Sequence, residues 1–292
     1  MNKIRIIPWL DIKGPNLVKG IHLEGLRVLG KPEKFAKFYY NNGADELFFQ
    51  DTVASLYDRN SLHNIIEKTA KEIFIPLTVG GGIRTIENIN AILRAGADKV
   101  AINTEALKNP EFIRQAALSF GSSTIVIAIE AIKQSDGKYL AYTDNGREHT
   151  GVEVLNWAKQ VESLGAGEIV VTSVDKEGTG EGFDYELMNL LTSSVTIPVI
   201  AHGGFGNPSD AINVINECKV DAISIASSFH YCYIASNENH DEFVEEGNIS
   251  FLNSRQTFKK IKPYTISQVK ESLSENNIPV RILKYIWLNQ TL

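Results

Sequence analysis

Cysteine is nearly absent. Cys218 and Cys232 are the only two in 292 residues, which excludes a disulfide framework, and they lack the spacing of a metal site. No run of about 18 apolar residues occurs, so an apolar bilayer-spanning helix is not expected. The beginning, MNKIRIIPWLDIKG, has no signal-peptide apolar block, and a cytoplasmic location is expected. Basic charge is not in excess either: 29 Lys and Arg face 35 Asp and Glu, a net −6. Without a basic field, neither nucleic acid nor an anionic membrane is expected as a partner, and any anionic substrate must be held locally. Neither a cofactor nor a metal is expected.

What is present is a series of short β-branched runs, each followed by a segment of helical periodicity. There are eight: RIIPWLDI (5–12), ELFFQDT (46–52), IPLTVGGG (75–82), KVAINT (99–104), TIVIAIEAI (124–132), EIVVTSVD (168–175), PVIAHGG (198–204) and AISIASS (222–228). Most are continuously apolar, as parallel strands covered on both faces require. Helix starts are marked by Pro32 and by Asn109 before Pro110, the asparagine being the expected cap. Eight strand–helix units predict an α/β fold, a single (β/α)8 TIM barrel spanning 1–292, in preference to an open doubly wound sheet. Residues 232–262 read as a polar insertion after the eighth strand, TISQVKESLSENN as the last helix, and VRILKYIWLNQTL as a short apolar extension.

The chain also repeats once. GGIRTIENINAILRAGADKVAINT matches GGFGNPSDAINVINECKVDAISIASS, and Asp11 pairs with Glu130, Asp51 with Asp175, Gly81–Gly82 with Gly203–Gly204, and Asn103 with Ala226, at offsets of 119 to 124. A nearly constant offset over both apolar and polar positions predicts two half-barrels.

In such barrels the C-terminal strand ends carry the chemistry and the opposite rim carries stability. Asp11, Asp51, Glu130 and Asp175 lie at C-terminal ends, with Glu177–Gly178 just beyond. Asp11 and Glu130 face each other across the mouth as a candidate acid and base pair; the plainer reading is that each caps the following loop. The glycines of strands three and seven, with Asn103–Thr104 and Ala226–Ser227 after strands four and eight, offer backbone N–H groups and hydroxyls to two anions, one per half. Lys19 lies in a Gly-containing excursion after strand one that could close over a ligand and bring it a cation. At the other rim Arg5, Glu46, Lys99 and Glu168 open strands one, two, four and six; their alternating charges would form a salt-bridged ring at the barrel floor, while spacing alone favours polar end-packing.

The stretches RIIPWLDIKGPNLVKG, GADELFFQD, IPLTVGGGIR, GADKVAINTEALKNP, WAKQVESLGAGEIVVTSVDKEGT and IASSFH resemble the family of cyclase subunits of imidazole glycerol phosphate synthase, over nearly the whole chain. The resemblance implies a (β/α)8 barrel that takes ammonia from a glutaminase subunit docked on its N-terminal face. It implies conversion of a phosphoribulosyl aminoimidazole carboxamide nucleotide to imidazole glycerol phosphate and an aminoimidazole carboxamide ribotide. On the same basis Asp11 matches the essential acid/base, Lys19 a mobile-loop lysine, and Arg5, Glu46, Lys99 and Glu168 a charged ammonia gate. Four positions depart from the family pattern: Glu130 and Glu177 stand for Asp, Trp9 for a small residue, and His202 for Ser. Such departures keep two alternatives in view. One is a paralogue supplying ammonia for an acetamidino modification of a surface-polysaccharide sugar; the other is a non-catalytic activator of the glutaminase.

Overall fold

The computed structural model describes residues 3–53, 62–236 and 261–283. The first half begins with β1 (Arg5–Lys13), which runs into an antiparallel pair, β2 (Asn16–Ile21) and β3 (Glu24–Gly30), before α1 (Pro32–Asn41). It continues through β4 (Leu47–Asp51), α2 (His63–Ala70), β5 (Leu77–Gly80), α3 (Ile86–Arg94), β6 (Lys99–Ile102), a short α4 (Thr104–Lys108) and α5 (Glu111–Phe120). The second half opens in the same way: β7 (Ile125–Lys133) runs into the antiparallel β8 (Tyr139–Thr143) and β9 (Glu148–Glu153), followed by α6 (Val154–Ser163). Then come β10 (Glu168–Ser173), α7 (Tyr185–Thr192), β11 (Val199–His202), α8 (Pro208–Cys218), β12 (Ala222–Ile225), α9 (Ser227–Ser236) and α10 (Ile266–Glu275).

Eight of these strands pair in parallel, in the order β1, β4, β5, β6, β7, β10, β11, β12, and β12 returns to β1 with Arg5 opposite Ala222. The sheet is a closed (β/α)8 barrel, as the eight strand–helix units predict. The half-barrel repeat is visible in it, because the two extra hairpins follow the equivalent strands β1 and β7. A hairpin after β7 is not among the sequence expectations. Its signal is the Asp144–Asn145–Gly146 turn, in which all three residues have positive φ, the conformation that Asn-Gly supplies between two strands.

Alternation along each strand builds two cores. Ile6, Leu10 and Ile12 face the helices and join the large outer core, whereas Ile7 and Trp9 point into the lumen with Phe48, Ala101, Val126, Val170, Ile200, Ala222 and Ala226. Continuous burial of β1 from Ile6 to Ile12 explains its unbroken apolar run. At the bottom, the chain beyond α10 closes the rim: Ile4 bridges Val280, and the buried Lys270 ammonium donates to the Gly43 and Arg281 carbonyls and to the Asp45 carboxylate at 2.7–2.8 Å. Arg281 donates to the same carboxylate at 2.8 Å.

Two boundaries differ from expectation. Pro110, not Asn109, stands at the N-cap of α5, and no side-chain cap bond is made there; proline already supplies the helical φ, so the turn forms without one. Residues 232–236 belong to α9, whose apolar face packs on α1 through contacts such as Tyr233 on Phe35, so the region read as an insertion begins later than 232. Residues 237–260 and 284–292, the bulk of that region and of the apolar extension, lie outside the described residues. Among the described residues, no helix is long and apolar enough to cross a membrane.

Candidate active site

At the C-terminal barrel mouth a cleft is lined by Asp11, Gln50, Asp51, Gly81, Gly82, Arg84, Asn103, Thr104, Glu130, Asp144, Asn145 and Thr172, with Trp9 at its base. A second, smaller cavity is lined by Glu177, Gly178, His202, Gly203, Gly204, Ser224, Ala226 and Ser227. The expected pairing of each glycine doublet with the following small polar strand end therefore holds in space. Gly81, Gly82, Gly203 and Gly204 all have positive φ. A Cβ on Gly204 would lie 2.1 Å from the Gly182 carbonyl oxygen, so Gly204→Ala is expected to destabilise the protein by roughly 1–3 kcal/mol; chemical denaturation with an unchanged midpoint would contradict this.

Asp11 is buried between the two cavities, and both of its oxygens are taken. Trp9 Nε1 donates to Oδ1 at 2.7 Å and Lys19 Nζ donates to Oδ2 at 3.1 Å. Lys19 also donates to Glu177 Oε1, whose other oxygen accepts from the Leu23 N–H at 3.1 Å. Sequence reasoning puts Lys19 on an open excursion; here it sits on β2, is 1% exposed, and lines neither cavity. The physical reason is the β2–β3 hairpin, which folds over the mouth and is fastened by His22, whose backbone N–H donates to the Glu177 carbonyl and whose Nδ1 bonds the Val174 carbonyl. Burial alone would lower the Lys19 pKa, but the Glu177 and Asp11 carboxylates outweigh it and raise it above the ordinary lysine value. Three charged groups so enclosed are held by mutual compensation, and deleting one partner of such a pair costs on the order of 3–5 kcal/mol.

Glu130 stands opposite, on β7. Its Oε2 accepts from the Gly146 N–H at 2.7 Å, a bond delivered by the tip of the β8–β9 hairpin. That tip is pinned across the mouth by Asn145, which donates to the Thr52 carbonyl at 2.7 Å. Burial pushes the Glu130 carboxyl from 4.5 up to about 7, with Asp144 and Asp11 adding repulsion, against the opposing bonds from Gly146 and Asn103. Asn103 itself donates to the Tyr142 carbonyl at 3.2 Å, while its Oδ1 is buried without a hydrogen-bond partner. Asp51 is buried at the end of β4 and accepts from the Val53 N–H at 3.0 Å.

Asp175 behaves differently from the other strand-end carboxylates. It is exposed, accepts from the Lys133 N–H at 2.9 Å, and lines neither cavity. The structure brings Gln50, Asp144, Asn145 and Thr172 to the cleft in its place, residues that no sequence motif singles out apart from the Asn145–Gly146 turn.

His202 is buried on β11 and stacks on Trp9 with centroids 4.2 Å apart, while Phe48 stacks on the indole's other face at 3.9 Å. Its Nδ1 bonds the Ser224 carbonyl at 3.2 Å and Nε2 has no partner. Burial lowers its pKa, so the ring is neutral at pH 7; a carbonyl only accepts, which puts the proton on Nδ1. Among the described residues, no group of three His, Cys, Asp or Glu is placed to hold a metal ion.

At the opposite rim the four expected charges form a closed ring. Arg5 pairs with Glu46 at 2.9 Å and with Glu168, and Lys99 reaches both carboxylates at 3.1 Å. Thr78 Oγ1 donates to Glu46 at 2.6 Å. The spacing-only reading of polar end-packing gives way to a connected network that spans the lumen floor.

Comparison with known proteins accords with this geometry. The family model described as histidine biosynthesis protein matches residues 5–235. An imidazole glycerol phosphate synthase subunit HisF of Legionella pneumophila is 57% identical over 206 residues, 70% of this chain and 97% of the relative. One from Lactococcus lactis subsp. cremoris (strain MG1363) is 43% identical over 281 residues, 96% of this chain and 97% of the relative. One from Alkaliphilus metalliredigens is 46% identical over 227 residues, 78% of this chain and 90% of the relative. With the family model matched over residues 5–235 and a HisF relative 43% identical over 96% of the chain, this closed barrel belongs to the histidine biosynthesis protein family that includes the HisF subunits.

Proposed function

We propose that this chain is the cyclase subunit of an imidazole glycerol phosphate synthase, a carbon–nitrogen lyase of histidine biosynthesis. The observation that carries this reading is the Asp11–Glu130 pair set between two glycine cradles. A substrate with a phosphate at each end would place its middle, the ribulosyl and carboxamide carbons, between these two carboxylates. Gly81–Gly82 with Asn103–Thr104 take one phosphate, and Gly203–Gly204 with Ala226–Ser227 and Gly178 take the other, through backbone N–H groups and the start of α9.

The chemistry is proton transfer. Ammonia adds to the ribulosyl carbonyl, a proton leaves its nitrogen, and water departs once its oxygen is protonated; cleavage and ring closure need further transfers of the same kind. Asp11, accepting from Lys19 and Trp9, acts as the base. Glu130, whose carboxyl burial pushes up to about 7, acts as the acid. Lys19 and Glu177 keep the β2–β3 hairpin closed and water out. Asp51 borders the first cradle and His202 the second.

The HisF relatives are named as subunits, and this chain is read as working with a partner, a glutaminase docked at the N-terminal face. Support comes from the same rim, where Phe74, in the segment that leads into β5, is an apolar side chain 81% exposed. Ammonia would enter through the ring of Arg5, Glu46, Lys99 and Glu168. In Lys99→Ala, glutamine-driven turnover is expected to fall at least about tenfold, equivalent to 1.4 kcal/mol, with ammonium-driven turnover nearly unchanged. Equal losses in both assays would remove the gate role. The function itself is tested by giving purified protein an ammonium salt and the phosphoribulosyl nucleotide. Formation of both products supports the cyclase, and no turnover alongside intact activation of the glutaminase rejects it.

A further inference from the structure

We propose that Trp9 is a positioning residue for Asp11: held between Phe48 and His202, its indole N–H fixes which way the catalytic carboxylate faces. This rests on the reading of Asp11 as the base. A carboxylate is free to turn about its Cβ–Cγ bond unless both oxygens are claimed. Here each oxygen has its own donor, Trp9 on Oδ1 and Lys19 on Oδ2. Lys19, which also donates to Glu177, meets one oxygen of Asp11 and would alone leave the other without a donor.

The indole, by contrast, is immobilised. Phe48 stacks on one face at an interplanar angle of 10° and His202 on the other at 18°. His202 is itself anchored, through Nδ1, to Ser224 on the neighbouring strand. Rings from β1, β4 and β11 thus form one stack across the lumen, and the side chains clustered with them from elsewhere in the barrel are aliphatic: Ala101, Val126, Ala128, Val170, Ala222 and Ala226. Volume alone does not require tryptophan, since Met or Leu would fill a lumen layer without introducing a polar atom. A buried indole N–H needs an acceptor, and the acceptor it finds is the carboxylate between the two cavities. Stacking, not a hydrogen bond, links Trp9 to His202, whose ring forms the second wall of the indole's slot.

The test is ammonium-driven turnover in Trp9→Phe, which keeps an aromatic ring and removes the donor, with Asp11→Asn measured beside it. A misdirected catalytic group costs on the order of 10–100-fold, so kcat is expected to fall by about that factor while KM for the nucleotide stays within about twofold. Trp9→2-naphthylalanine, which keeps two fused rings but has no N–H, should show the same kcat loss, and it stands in if Trp9→Phe folds poorly. A kcat within about twofold of the parent in either folded variant, with Asp11→Asn inactive, would overturn the positioning role and leave the Asp11 reading intact. Equal changes in kcat and KM together with a lowered Tm would also overturn it, by showing that Trp9 only packs. Full activity in Asp11→Asn would instead remove the reading on which the proposal stands.

Discussion

In Asp11→Asn, ammonium-driven formation of both products is expected to fall by at least about 10³-fold, with the protein still folded. The magnitude follows from two losses in one substitution. The base itself is removed, which costs about 10²–10⁴-fold, and the amide presents an N–H₂ to one of two donors, Trp9 Nε1 or Lys19 Nζ, that the carboxylate accepts from. Asn preserves volume, so packing around β1 is retained. Lys19 would then be left with Glu177 as its one carboxylate, and the β2–β3 hairpin should loosen. Steady-state kinetics with purified protein decides the point; a variant retaining more than about a tenth of parental kcat would show that Asp11 is not the base.

The second large effect concerns Glu130. With its carboxyl pushed up to about 7 by burial, the acid form is lost as pH rises through neutrality. At fixed free ammonia, kcat should therefore fall as pH passes about 7, and Glu130→Gln should lose both this limb and about 10²–10⁴-fold in rate. A limb that persists in Glu130→Gln would assign it to another group.

The stability sign is set by the same shift. Below the unfolded-state value of 4.5 the carboxyl is protonated in both states; between 4.5 and about 7 the native state holds a proton that the unfolded state has released. Stability from this group is thus fully present at low pH and is lost as pH rises through about 7. Glu130→Gln should accordingly stabilise the protein more at pH 8 than at pH 5, by a few kcal/mol at most; denaturation midpoints at the two pH values test this.

Much of the candidate site was readable without coordinates because barrels obey a positional rule. A polar residue that ends a parallel strand faces the mouth, so Asp11, Asp51, Glu130 and the two glycine doublets could be placed from strand boundaries alone. Asp175 shows where the rule stops. It also follows a strand end, but past the last ladder bond of β10 the chain has turned, and its carboxylate caps β7 from outside. Strand ends specify a direction only while the pleat continues.

The hairpins were harder. Lys19 reads as a lysine on a closing excursion because a sequence window sees the local glycines, not Glu177 on a different half of the chain, 158 residues away. The Asn145–Gly146 turn was a usable signal, yet its consequence, an N–H aimed at Glu130, depends on how far the hairpin leans over the mouth.

Some properties were already determined by the order of amino acids alone: eight strand–helix units, their near-twofold repeat, the carboxylate at the end of the first strand and the charges at the starts of strands one, two, four and six. These depend on periodicity and on residues near in sequence, which local physics reads. Tertiary structure alone decided that Lys19 is buried in an ion-paired triad, that the floor charges connect into one ring, and that burial pushes the Glu130 carboxyl up to about 7. It alone stacked Trp9 between Phe48 and His202. Each of these arises from groups brought together by barrel closure, where burial removes water and leaves the energy of a charge or a ring to whichever distant side chain happens to face it.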